Sequence, residues 1–364
     1  MAQAHRGVRR GGAGARAGGR LTSRPAGARA PEPGISEVEL IAEPDLVVPP
    51  IAAGAVAADG SAADRRIAEA GVLLVMVLWS ANYIIVKSAV GAVPPAGFNF
   101  LRLIVGAVAL LVALRVREGT IALPRRDLVS LALLALVGFT LYQVLWGTAL
   151  QTTTAGDSAL IIGAAPALIA LFAVAIGSDR LTWTKGLGAI VALAGVALVV
   201  TAGTGIHLDA AGIGDLLTLG AAACWALYIA VGTPLFRRVS PVASAAWAVA
   251  FGALWLAPLG GAEVISSPSA YLQPGVVAAL IASGLLAVAL SQVLVMRAIP
   301  VLGPMRYANF QFLTPPLTVI LGAAVLGEPI YLGQVVGGAV IVAGILLARR
   351  DARRLFRTRA SGPA

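Results

Sequence analysis

The sequence predicts an all-α integral membrane protein, with ten transmembrane helices arranged as two inverted five-helix repeats. Three observations predict it. First, 59% of the 364 residues are hydrophobic and only 12% are charged, with a mean hydropathy of +0.89. Soluble domains carry about 25% charged residues, so this chain lacks the charge to clothe a soluble surface, and a water-soluble enzyme is excluded. Second, lysines and arginines fall in every other link between apolar runs. Third, the chain matches itself at an offset of 149 residues.

Taken in order, the chain opens with seven arginines (Arg6, Arg9, Arg10, Arg16, Arg20, Arg24 and Arg29) and no acid in its first thirty residues. Residues 31–69 then carry eight acids and only Arg65 and Arg66. Rich in Gly, Ala and Pro and without an apolar period, residues 1–66 have nothing to bury against their ordering entropy and are expected to form a disordered tail. Arg9-Arg10 lacks the apolar core that a twin-arginine export signal needs. From residue 70 the chain reads as ten apolar runs: 70–90, 95–114, 128–150, 156–177, 187–202, 214–236, 242–259, 275–296, 307–326 and 332–348. Each is close to the roughly 20 residues that cross a bilayer.

The second link carries Arg115, Arg117, Arg125 and Arg126, the fourth Arg180 and Lys185, the sixth Arg237 and Arg238, and the eighth Arg297 and Arg306. Odd-numbered links carry no lysine or arginine. By the positive-inside rule, the even links lie in the cytoplasm together with both termini, of which the C-terminal one (350–364) follows Arg349 and bears Arg350, Arg353, Arg354, Arg357 and Arg359. The net charge of +10 is thus accounted for by orientation in the cytoplasmic membrane. The partners expected are a lipid bilayer and a small-molecule substrate, with no nucleic acid; a homodimer is compatible with the sequence. One cysteine, Cys224, and two histidines, His5 and His207, exclude an intrachain disulfide and a His/Cys metal site, and no cofactor is expected.

The offset of 149 places Gln143-Val144-Leu145 on Gln292-Val293-Leu294, Ala149 on Ala298, Pro166 on Pro315 and Asp179 on Glu328. It also places Gly188 on Gly337 and Ala194-Gly195 on Ala343-Gly344. The shared Gln, Pro and acidic positions weigh most, because Ala, Gly and Leu coincide by chance in such a composition. Five spans per half is an odd number, so the second half enters the membrane inverted. Inverted repeats are the structural basis of alternating access, with the substrate site at their interface.

The run Leu78-Trp79-Ser80-Ala81-Asn82-Tyr83 through Lys87, then Pro94-Pro95 and Phe100-Leu101-Arg102, resembles the opening of an EamA-type domain. Ala164-Ala165-Pro166 with a following acid, and Thr314-Pro315-Pro316 with Gly327-Glu328-Pro329, repeat that likeness. Residues 70–349 are similar to a permease of the drug/metabolite transporter superfamily, with repeats at 67–205 and 206–349. Asp179 stands where such domains usually have Glu, and the second half has no cation matching Lys87. The resemblance implies transport of a small polar or amphipathic metabolite, such as an amino acid, with broad-specificity drug efflux as the alternative. Small proton-driven members carry a glutamate on the first helix. Here no acid occurs between Glu69 and Glu118, so coupling through such a carboxylate is not expected.

On the first run Trp79, Asn82, Tyr83 and Lys87 share one helical face, which amides and a charge should turn away from lipid. They either line a cavity or form an interhelical seam from which Lys87 snorkels. Arg102 lies somewhat deeper on the second run. Lys87 and Arg102 either recognise an anion or pair with Asp157 and Asp215, the nearest acids. The third run presents Phe139, Tyr142, Gln143 and Trp146 on one face, and the ninth presents Tyr307, Gln311 and Thr314 with Asn309 beside it. Trp225, Tyr228, Ser291 and Gln292 come from the sixth and eighth runs. Aromatic walls with a few amides suit an amphipathic solute; an interfacial aromatic belt explains Trp146 but not mid-span Trp79 or Gln143. Pro166 and Pro315 are mid-run kinks or hinges. Gly188, Ala192 and Gly195, and again Gly333, Gly337 and Gly344, allow close helix approach. An intramembrane enzyme would need a buried catalytic pair or metal site, and no run holds a histidine or two carboxylates. A passive channel would need a ring of like residues.

Overall fold

A computed structural model describes residues 62–201 and 210–348. All regular structure there is helical. Among the described residues nine helices are long and apolar enough to cross a membrane: α1 (Ala62–Val90), α2 (Pro95–Glu118), α3 (Arg125–Ala149), α4 (Ala155–Ala175), α5 (Trp183–Val200), α6 (Gly212–Phe236), α7 (Pro241–Ser266), α8 (Pro274–Leu302) and α9 (Arg306–Leu326). A tenth, α10 (Leu332–Ala348), is apolar and shorter, at 17 residues. At 1.5 Å per residue it reaches about 26 Å, slightly less than a 30 Å hydrocarbon core. Most of the expected N-terminal tail, the C-terminal cations and His207 lie outside the described residues.

Helix ends depart from the apolar runs where charged or small residues extend a helix beyond its hydrophobic stretch. The first helix begins at Ala62, so residues 62–66, expected to belong to a disordered tail, are helical. They are good helix formers (Ala62-Ala63-Asp64-Arg65-Arg66), with Asp64 in the first turn where the helix dipole favours an acid. The seventh helix continues past Leu259 to Ser266. Its last turns bring Glu263 Oε2 to accept from the Gly97 N–H at 2.6 Å, an otherwise free donor in the first turn of α2.

The two halves pack through α2 on α7, α4 on α9 and α5 on α10, flanked by α1 on α8 and α3 on α6. Exchanging helices one to five with six to ten leaves this set unchanged. The first three pairings map onto themselves and the last two exchange. Helices α5 and α10 run antiparallel at backbone distance. A Cβ on Gly188 would lie 2.6 Å from Gly344 O, and one on Gly195 would lie 2.7 Å from Gly337 O. Those four glycines are the ones that coincide at the 149-residue offset, so each contact is the counterpart of the other.

Irregularities repeat as well. α4 is broken at Gly163 and Ala164, just before Pro166, and α9 is broken at Phe312 and Leu313, just before Pro315. Proline removes an N–H donor and clashes with the preceding turn, which accounts for both breaks. Wide π turns occupy Leu136–Leu141 in α3 and Ser283–Leu290 in α8, again in matching places.

Links one, three, seven and nine gather at one end of the bundle, here the odd end, and the even-numbered links at the other, the even end; most of link five lies outside the described residues. Contacts within each end agree with this. Tyr271 Oη donates to Pro94 O at 3.1 Å at the odd end. At the even end, Arg238 pairs with Asp127 at 2.8 Å and Arg306 with Glu69 at 3.6 Å.

Candidate functional site

Between the halves lies a cavity of about 830 Å3. Its lining runs from Ile330 and Gln334 near the odd end to Pro241 and Ser244 near the even end. The face of α1 delivers Trp79, Asn82 and Tyr83 to this wall. Trp79 is anchored there, its Nε1 donating to Ala287 O at 3.2 Å in the π turn of α8. That turn also presents Ser283, which is fully buried.

Arg102 is the charged residue of the lining, and the wall includes no acid among the described residues. Its side chain is only 3% exposed. Nη1 donates to Asn82 Oδ1 at 3.3 Å and to Ser283 Oγ at 2.7 Å. Ser283 in turn donates to Asn82 Oδ1 at 2.5 Å, closing a triangle between α1, α2 and α8. The guanidinium carbon sits 5.3 Å from the centre of the Trp146 ring, within cation–π range. No carboxylate among the described residues comes within 4 Å of Arg102, so the expected pairing with Asp157 or Asp215 is not made.

The aromatic residues form a continuous wall. Tyr83 meets Trp146 edge-on at 5.4 Å, and Tyr142 stacks on Trp146 at 6.0 Å. Trp225 bridges Tyr142 and Tyr228, at 5.9 and 5.3 Å, and Phe139 meets both Trp225 and Tyr228. Tyr228 fits because α3 has Gly138 opposite it, where a Cβ would lie 2.3 Å from the ring. Trp146 Nε1 donates to Ser158 Oγ at 3.2 Å, which pins the wall to α4. Gln292, Tyr307 and Gln311 complete the far side, with Gln311 Nε2 donating to Tyr307 Oη at 3.3 Å. Both helix-breaking prolines, Pro166 and Pro315, face the cavity.

Two expected lining residues are placed elsewhere. Gln143 is buried on the contact with α2, where its backbone carbonyl accepts from Asn99 Nδ2 at 3.0 Å. Tyr142 and Trp146 keep the cavity face of α3, and Gln143, about 100° round the helix from Tyr142, falls on its flank toward α2. Lys87 lies two turns beyond Trp79 at the odd end. Its Nζ is 3.4 Å from Glu328 Oε1 and donates to the carbonyls of Leu150, at 3.3 Å, and Thr153. The periodicity that put Lys87 on the right face said nothing of depth.

Around that ion pair is a polar layer. Both oxygens of Glu328 accept from the Ala155 N–H at 3.0 Å. Asp157 accepts from Thr154 Oγ1 at 2.7 Å and from Gln334 Nε2 at 3.0 Å, and Asp215 accepts from Thr153 Oγ1. Thus the acids expected to serve Lys87 and Arg102 are held by hydroxyls and an amide. Asn309 is exposed, and Ser291 is spent on Leu286 O at 2.9 Å. Ser244, Ser283 and Gln334 line or support the cavity and had no sequence signal beyond being polar in an apolar run. No group of three or more His, Cys, Asp or Glu is placed to hold a metal among the described residues.

The EamA-like transporter family model matches residues 66–201 and 212–350. A probable terminal-alkyne amino-acid exporter of Streptantibioticus cattleyicolor is 30% identical over 291 residues, covering 79% of this chain and 94% of that one. The uncharacterized transporter YyaM of Bacillus subtilis is 27% identical, covering 75% of this chain and 90% of its own. A solved crystal structure aligns over 81% of this chain and 99% of its own, with a TM-score of 0.54 and 23% identity, a likeness of fold. Carrying two copies of the family domain in a multi-pass helical frame around one cavity, the chain belongs to the EamA-like transporter family and is a membrane transporter, not an enzyme.

Proposed function

We propose that this transporter moves a small amphipathic metabolite, an amino acid foremost, across the cytoplasmic membrane by alternating access between two inverted repeats. The observation that carries this reading is the cavity of about 830 Å3 walled by aromatic rings and one arginine. It lies where the two repeats meet, the place expected of a substrate site in such folds. The relative from Streptantibioticus cattleyicolor, named for amino-acid export, supports the same solute class. Lysine and arginine in the even links support an even end, and both termini, in the cytoplasm. In this reading the breaks before Pro166 and Pro315 are hinges, and the Lys87–Glu328 layer closes the odd end. All of the lining comes from one chain, so a homodimer is not required.

Broad-specificity drug efflux is the second reading, favoured by a cavity larger than one amino acid. The two readings diverge on charge: a buried arginine repels lipophilic cations. Proteoliposomes preloaded with unlabelled phenylalanine or propargylglycine should accumulate the labelled solute by counterflow. Transport of ethidium with no counterflow of any amino acid would instead establish drug efflux.

A further inference from the structure

The geometry points to a carboxylate subsite at Arg102, built by Asn82 and Ser283, which selects solutes bearing one free carboxylate on an apolar or aromatic body. This deepens the proposed function and rests on it for the claim that the bound solute is carried.

Arg102 carries an unbalanced charge. A guanidinium is charged at any working pH, and burying a charge without a counter-charge is costly. Arg102 is 3% exposed, its two hydrogen-bond partners are neutral oxygens, and no acid lies within ion-pair distance among the described residues. Folding alone does not call for this, since a leucine at the same place would pack against α8 without the cost. A charge retained there is balanced by something that enters.

The geometry also says how. Asn82 and Ser283 take only Nη1. Nε is buried with no partner, and Nη2 makes no hydrogen bond to any described residue. Nε–H and one Nη2–H are parallel donors along one edge of the planar guanidinium, the fork that matches the two oxygens of a carboxylate. The Asn82–Ser283 triangle fixes the opposite corner, and the Trp146 ring at 5.3 Å supports one face. The guanidinium is therefore held in a fixed orientation at the cavity wall before any solute arrives, which lowers the ordering cost of binding.

What surrounds the fork defines the rest of the solute. Tyr142 and Trp225 lie along the same wall, giving an apolar surface for the solute's body. With no acid in the wall, an α-ammonium finds only aromatic faces and neutral oxygens. It is accommodated but not required. Amino acids and their des-amino analogues should both bind, and an amide or ester of either should bind more weakly.

Isothermal titration calorimetry on the purified full-length protein tests this with phenylacetate, phenylacetamide, L-phenylalanine and L-phenylalaninamide. The expected result is that each acid binds about 10- to 100-fold more tightly than its amide, the size of a charge-assisted hydrogen-bond pair. Arg102→Gln should erase that preference, and Arg102→Lys, which keeps the charge but not the fork, should restore part of it. Equal affinity for acid and amide in the unsubstituted protein overturns the subsite, and this comparison stands even if the variants fail to fold. An acid preference that survives in Arg102→Gln also overturns it. If the acids bind through Arg102 but show no counterflow in proteoliposomes, the subsite stands and the transport reading fails.

Discussion

Breaking the ion pair at the odd end should separate stability from substrate recognition. Lys87 and Glu328 lie 3.4 Å apart with side chains 21% and 12% exposed. At an effective dielectric of about 20 their attraction is about 5 kcal/mol, and desolvation offsets about half of it. Each partner has other duties. Lys87 also donates to the carbonyls of Leu150 and Thr153, and Glu328 accepts from the Ala155 N–H at the start of α4. Lys87→Gln and Glu328→Gln should therefore each destabilise the protein by about 2 kcal/mol. In the double variant the losses should fall short of additive by about 2 kcal/mol, because the second substitution no longer breaks the pair. Thermal unfolding in detergent would read each single loss as a drop of about 4 °C in Tm. Because Lys87 does not reach the cavity, the KM for a transported carboxylate should change less than twofold in Lys87→Gln. A large rise in KM with unchanged Tm would instead place Lys87 in the substrate site.

Other consequences can be measured independently. Gly195→Ala places a methyl 2.7 Å from Gly337 O and Ile341 N, so it should cost about 1–3 kcal/mol; Gly220→Ala, whose nearest neighbour would be the end of Leu145 at 3.4 Å, should be tolerated. After replacing Cys224 with serine, a cysteine at Ser267 should react with an impermeant thiol reagent in intact cells and one at Thr120 should not. The opposite pattern would reverse the proposed orientation. Pro166→Ala and Pro315→Ala should lower the turnover rate severalfold with little effect on carboxylate affinity. An affinity loss without a rate loss would assign those prolines to the wall alone.

The frame was legible because a bilayer demands long apolar runs and orders cations by side, and both requirements are written in composition. The repeat was legible through its least common residues, since Pro166 and Pro315 mark matching breaks and the glycines of α5 and α10 mark a contact that only small residues permit. Helix ends were less so. Ala62–Arg66 and the last turns of α7 are helical although charged or small, because propensity and caps, not hydropathy, decide where a helix stops. At the site, helical periodicity gave the right face of α1 but no depth. It therefore grouped Lys87, tied to Glu328, with Asn82, tied to Arg102. Gln143 lies on the flank of the face that Tyr142 and Trp146 present, a distinction that hydropathy does not reveal. Ser283 carried no signal at all, since a serine in an apolar run looks the same whether it packs or orients an arginine.

In the proposed cycle Arg102 anchors a carboxylate solute, which crosses as the cavity opens to each face in turn. Counterflow of labelled L-phenylalanine in proteoliposomes, with and without unlabelled solute inside, tests it most directly. The expected result is a transient accumulation driven by internal phenylalanine or phenylacetate but not by phenylacetamide, and its loss in Arg102→Gln. Flux that is unsaturable, indifferent to internal solute and unchanged in Arg102→Gln would contradict it.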